Sequence, residues 1–163
     1  MVAPAADFLA ILRALAAHRV DHIVVGGVCA VLHGAPVTTF DLDLVHNREP
    51  ENLHRLARAL ADLGAYYRGR GEQRLVPEES ALAGPGHHLL MTQSGPLDLL
   101  GTLGAGHGFD ALVGHTKVVE VSGIAVEILD LPTLIRVKEE TAREKDLLSL
   151  QILRRLLQEG GGR

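Results

Sequence analysis

The stretch Asp41-Leu42-Asp43-Leu44-Val45 limits the fold more than any other part of this chain. Acidic and apolar residues alternate in it with period two, the period of a β-strand, whose successive side chains point to opposite faces. Asp41 and Asp43 therefore share one face, and Leu42 and Leu44 the other. Two neighbouring carboxylates repel, and burying them is costly unless a cation lies between them. Hard oxygen donors at this spacing suit Mg²⁺, which keeps several waters and is commonly shared with substrate phosphates. An edge strand with a solvated acidic face accounts for the motif equally well when it is taken alone.

The surrounding pattern is α/β. Phe8, Leu9, Leu12 and Leu15 recur at helical spacing between Ala5 and His18, with Asp7 near the start. His22 to Val25 reads as a short apolar strand. Gly26-Gly27 breaks it, and Val28 to His33 reads as a small helix closed by Gly34-Ala35-Pro36. Asp41 to His46 is the next strand, and Glu49 to Leu63 a helix stopped at Gly64. The polar segment from Gly69 to Gly86 is expected to be a mobile loop with broken strand pieces. Strands follow at His88 to Met91 and Leu97 to Leu100, around a Gln93-Ser94-Gly95-Pro96 turn. Lys117 to Val121 and Ile124 to Ile128 form a hairpin pattern around Ser122-Gly123. Helices are predicted from Leu131 to Thr141 and from Arg143 to Gln158. One domain is expected over residues 1–159, with a disordered tail at 160–163.

What the acids do depends on what lies upstream. In "IVVGGVCAVLHG", Gly26-Gly27 sits where a strand gives way to a helix, and Asp41-x-Asp43 follows on the next strand. Glycine lets backbone N–H groups approach a ligand closely, and a helix start favours phosphate. A phosphate cradle beside a pair of carboxylates is what phosphoryl or nucleotidyl transfer requires.

Strand, Gly-Gly, helix and then Asp-x-Asp on a strand resembles the nucleotidyltransferase superfamily typified by DNA polymerase beta. Within it the pattern is most similar to small bacterial members, the minimal and the abortive-infection toxin-type nucleotidyltransferases. The likeness runs from about Phe8 to Leu156 and is strongest from Val24 to Val45. It implies a mixed sheet flanked by helices, with C-terminal helices. It also implies a third carboxylate on a neighbouring strand, for which Asp98 in "GPLDLLG" is the candidate. On that likeness Asp41, Asp43 and Asp98 are the catalytic and metal-binding residues, holding two Mg²⁺ ions with an NTP. Gly26 and Gly27 would pack against its phosphates, and Thr38 and Thr39 would donate hydrogen bonds. Lys138 and Lys145 correspond to a basic Lys-Asp segment that faces the nucleotide in toxin-type members. The chain departs from the pattern at Val37, where a basic residue is common.

Composition narrows the partners. A net charge of −4 argues against bulk electrostatic binding to nucleic acid, and three Phe, two Tyr and no Trp disfavour a base-stacking RNA platform. The single cysteine, Cys29, excludes a disulfide framework and fits a reducing cytoplasm; in its apolar surroundings it reads as a core residue. Neither a signal peptide nor a membrane-spanning run is expected. No His-Glu-x-x-His or Cys-x-x-Cys spacing points to zinc, and no Gly-x-Ser-x-Gly points to a serine nucleophile. The expectation is a cytoplasmic, Mg²⁺-dependent transferase of NMP from NTP to a hydroxyl on RNA, protein or a small molecule, with a homodimer or antitoxin-like partner completing the acceptor site. The competing expectation is a non-catalytic nucleotidyltransferase-like protein that binds nucleotide or serves as a toxin–antitoxin partner.

Overall fold

The computed structural model describes residues 6–160. Seven strands form one mixed sheet: β1 (His22–Val25), β2 (Leu42–His46), β3 (Tyr66–Tyr67), β4 (His87–Thr92), β5 (Gly95–Leu100), β6 (Thr116–Val121) and β7 (Ile124–Leu129). Their spatial order is β3-β4-β5-β2-β1-β7-β6. The pairs β2–β5 and β1–β7 are parallel, and the rest antiparallel. The helices are α1 (Phe8–Ala17), α2 (Gly26–Leu32), α3 (Pro50–Asp62), α4 (Glu79–Leu82), α5 (Phe109–Leu112), α6 (Leu131–Glu140) and α7 (Leu147–Gln158).

Local chemistry sets these elements. The Asp7 carboxylate caps α1 by accepting the Ala10 N–H at 3.1 Å, and Asp130 caps α6 by accepting the Thr133 N–H at 2.9 Å. Such caps contribute about 1 kcal/mol each. Pro50 opens α3, where its missing N–H costs nothing. Leu53, Leu56 and Leu60 put the apolar stripe of α3 into the core. In β2, Leu42 and Leu44 are fully buried while the acids between and before them are half-buried. Burying each leucine favours the fold by about 1.5–3 kcal/mol, so a one-residue slip of β2, which would swap leucines for acids, is strongly disfavoured.

A shared acceptor ties the helices to the sheet. The Leu129 carbonyl at the end of β7 takes hydrogen bonds from Cys29 Sγ at 3.3 Å and from His33 Nε2 at 2.8 Å. It thereby joins α2 to the residue just before the α6 cap.

Four expectations change. The glycines do not precede α2 but form its first two residues. The predicted four-residue turn shrinks to Gln93-Ser94, because Gly95 and Pro96 pair with Thr92 and Met91. The predicted helix from Arg143 is a 3₁₀ turn over Glu144–Asp146 that leads into α7. The segment 69–86 contains α4. Its one buried apolar residue, Leu82, gives too weak a period to be recognised, and the helix is held from elsewhere by His46 Nε2 on the Leu82 carbonyl at 2.8 Å. The short α5 also went unforeseen. Gly160 closes the last turn onto Leu157, and 161–163, like 1–5, lie outside the described residues.

Candidate active site

Register brings the acids together. Asp43 on β2 pairs with Asp98 on β5, and Asp98 pairs in turn with Leu89 on β4, so the three share one face. Adjacent strands lie about 4.8 Å apart, within reach of two carboxyl groups. Asp98 is buried between the fully buried Leu97 and Leu99. Asp41 stands one residue before β2, in a bend.

The crowding shows in the electrostatics. Burial, then the charge of Asp98 and a hydrogen bond with it, then the charge of Asp41, push the Asp43 carboxyl up to about 7; Arg68 opposes them. Arg68 is the residue that sequence reasoning missed. It belongs to no motif and reaches the acids from the far side of β4. Its Nη1 donates to the Leu90 carbonyl at 2.6 Å and lies 2.8 Å from Asp98 Oδ1. The second contact is one of charge, since Asp98 Oδ1 finds no hydrogen-bond donor with proper alignment among the described residues.

The two glycines are seated by contact. Gly26 has φ +65°, and a Cβ there would overlap Asp43 Oδ2. A Cβ on Gly27 would fall 2.5 Å from Thr39 Oγ1. That hydroxyl donates to the Asp41 carbonyl at 3.0 Å, which fixes the loop carrying the acids. Only glycine allows α2 to start this close to β2.

A cleft of about 380 Å³ opens here. Gly26, Gly27, Thr38, Asp43, Lys138, Thr141 and Ser149 supply its polar lining. Ala30, Val37, Leu103, Leu134, Val137 and Leu153 supply the apolar one. Val37 thus contributes an aliphatic side chain to the cavity wall. Lys138 Nζ lies 3.6 Å from Asp146 Oδ1, bridging α6 to the start of α7. The Asp146 carboxyl is held below its usual range by the Arg143 N–H, then by the charges of Lys138, Arg143 and Lys145. Lys145 itself is exposed on the 3₁₀ turn and does not line the cleft.

The structure therefore brings Asp43, Gly26, Gly27, Thr38 and Lys138 to one cavity. It sets Asp98 and Thr39 directly behind, puts Asp41 in charge range of Asp43, and leaves Lys145 outside. Among the described residues no three His, Cys, Asp or Glu side chains converge into a ready-made metal-ligand set. The chemistry of the donors nevertheless fits a hard cation. All are carboxylate oxygens, and the mutual repulsion that raises the Asp43 carboxyl is what a cation would relieve.

The architecture is that of a nucleotidyltransferase-like fold. It is similar to TM1012 of Thermotoga maritima, a protein classed as a nucleotidyltransferase, at 18% identity and a TM-score of 0.58, covering 93% of each chain. The antibiotic-resistance factor ANT(2'')-Ia, described with substrate-regulated conformational dynamics, superposes with a TM-score of 0.59 at 15% identity, over 94% of this chain and 84% of its own. No family model and no curated protein matches the chain. Among the described residues no helix is long and apolar enough to cross a membrane.

Proposed function

We propose that the protein is a Mg²⁺-dependent nucleotidyltransferase, moving NMP from an NTP to a hydroxyl acceptor. The observation that carries this reading is the pairing of Asp43 with Asp98 across parallel strands, with the Gly26 backbone against Asp43 at the mouth of a cleft. The fold it shares with TM1012, classed as a nucleotidyltransferase, supports it.

Asp43, aided by Asp41 and by the nearby charge of Asp98, would hold Mg²⁺, which when bound neutralises triphosphate charge and stabilises the leaving pyrophosphate. The backbone at Gly26 and Gly27 would lie against the phosphates, and Thr38 and Lys138 would contact the nucleotide from opposite walls of the cleft. The carboxylate of Asp98 would take the proton of the acceptor hydroxyl. The acceptor oxygen then bonds to the α-phosphorus while the bond from that phosphorus to the α,β-bridging oxygen breaks. The apolar lining from Ala30, Val37 and Leu134 excludes water, limiting hydrolysis of the NTP.

A non-catalytic nucleotide-binding or toxin–antitoxin role is the second reading, favoured by the aliphatic Val37 in the cleft and by the engagement of Asp98 with Arg68. Incubation with each α-labelled NTP, Mg²⁺ and cell extract separates the two. Label on an acceptor, lost in Asp43→Asn, is expected. Nucleotide binding with no transfer to any acceptor would move the protein to the second reading.

A further inference from the structure

We infer that the Arg68 guanidinium stands where a second cation would otherwise sit against Asp98, so that the loaded site holds one divalent ion per nucleotide rather than two. The inference rests on the nucleotidyltransferase reading and changes its metal count.

Three observations carry it. Arg68 Nη1 lies 2.8 Å from Asp98 Oδ1, an ion-pair distance, yet forms no aligned hydrogen bond with it, so the contact compensates charge. Arg68 is also anchored. Its own N–H donates to the Leu89 carbonyl at 2.9 Å and its Nη1 to Leu90 O at 2.6 Å, so the guanidinium is held against the sheet by β4. Finally, the cleft reaches Asp43 but is lined by neither Asp98 nor Arg68, whose side chains are 13% and 26% exposed. An ion entering through the cleft therefore meets Asp43 first. One entering at Asp98 would have to displace a fixed positive charge.

Arg68 is then a positioning residue. It balances the charge on the buried Oδ1 of Asp98, so that the acid would act as a base through its other oxygen and not as a ligand.

Equilibrium dialysis tests this, with Mn²⁺ and an equimolar mixture of the four α,β-methylene nucleoside triphosphates, whose α–β linkage cannot be cleaved. The readout is bound Mn²⁺ per bound nucleotide. The expected ratio is one for the wild type and for Arg68→Lys, and two for Arg68→Gln and Arg68→Met. A purely structural arginine would not move it. A wild-type ratio of two overturns the inference, as does a ratio of one in both uncharged variants; either leaves the transferase reading standing. Failure of the wild type to bind any of the nucleotides overturns that reading and the inference together. If both uncharged variants fail to fold, the wild-type ratio still decides between one ion and two.

Discussion

The strands β2, β4 and β5 carry two opposite kinds of buried polar group, one on each face. On one face Asp43 and Asp98 crowd together, and Asp43 lines a cleft. On the other lie His46, fully buried, and His88, with ring centroids 6.3 Å apart. His46 bonds the Leu82 carbonyl, and His88 Nδ1 meets the Tyr67 hydroxyl at 2.8 Å. Burial acts on both faces in the same sense, against charge: it raises the Asp43 carboxyl and lowers both histidines. The histidines, once neutral, no longer repel one another, although His46 Nδ1 and His88 Nε2 stay buried without a hydrogen bond among the described residues. The acids remain in mutual repulsion at a cavity, and an entering cation can relieve it. Burial of a titratable group is common to both faces; what separates the candidate active face is like-charge crowding beside an open cleft.

The largest test of this contrast is Asp98→Ala. Removing a general base typically costs about 10²–10⁴-fold in rate, and transfer of label should fall by that much while calorimetry shows nucleotide binding only modestly weaker. Its melting temperature without metal should change little, because the repulsion relieved at Asp43 is offset by the loss of the Arg68 partner. Strong destabilisation with unchanged transfer would make Asp98 a structural acid.

Leu44→Ala on the opposite face should do the reverse. The loss should be about 2–5 kcal/mol in urea unfolding, with turnover per folded molecule retained. Equal costs from the two substitutions would dissolve the distinction between the faces.

The pH response should separate them by sign. The folded-state pKa of Asp43 is raised from 3.8 to about 7, so the folded state holds a proton that the unfolded chain has released. Stability from this group is therefore lost as pH rises from about 4 to 7. The pKa values of His46 and His88 are lowered from 6.5, so stability from them is lost as pH falls below that value. Thermal melts from pH 5 to 8 should show Asp43→Asn removing the first trend alone. Mg²⁺ with nucleotide should stabilise more at pH 8 than at pH 5. A pH response unaltered by Asp43→Asn would count against the crowding.

The smallest effect is expected from Lys138→Met. Its partly exposed pair with Asp146 should contribute less than about 1 kcal/mol, visible as a slight shift in melting. Calorimetry should nonetheless find nucleotide binding several-fold weaker if Lys138 faces the ligand, and unchanged if the lysine serves only to join α6 to α7.

What was legible in the sequence was local. Asp41-Leu42-Asp43-Leu44 and Leu97-Asp98-Leu99 announce strands because alternation is a property of neighbours, and Gly26-Gly27, which alone would mark only a turn, announces a close approach in combination with the acids that follow. Which acids actually meet was less legible, since the Asp43–Asp98 register depends on a parallel pairing between residues 55 positions apart. Arg68 could not be read at all. Its partners, Leu89, Leu90 and Asp98, lie on other strands, and its neighbourhood looks like a polar loop. The same applies to α4, whose anchor is a histidine on β2, and to the tight fit of Gly27 on Thr39, which only folding creates. Lys138 and Lys145 looked alike in sequence and were separated by the 3₁₀ turn.

The double bond onto the Leu129 carbonyl has a mechanical consequence. Two walls of the cleft, α2 and α6, are pinned near that one atom, so widening of the cleft must come from its far end, where Thr141 and Ser149 lie. Cys29, the chain's only thiol, sits at the pin, fully buried and with its ionisation pushed up to about 12. An alkylating reagent will not touch it while the pin holds. The rate at which iodoacetamide reaches Cys29 is thus a clock for the opening of that joint, and breathing at the cleft's far end should leave the clock unchanged.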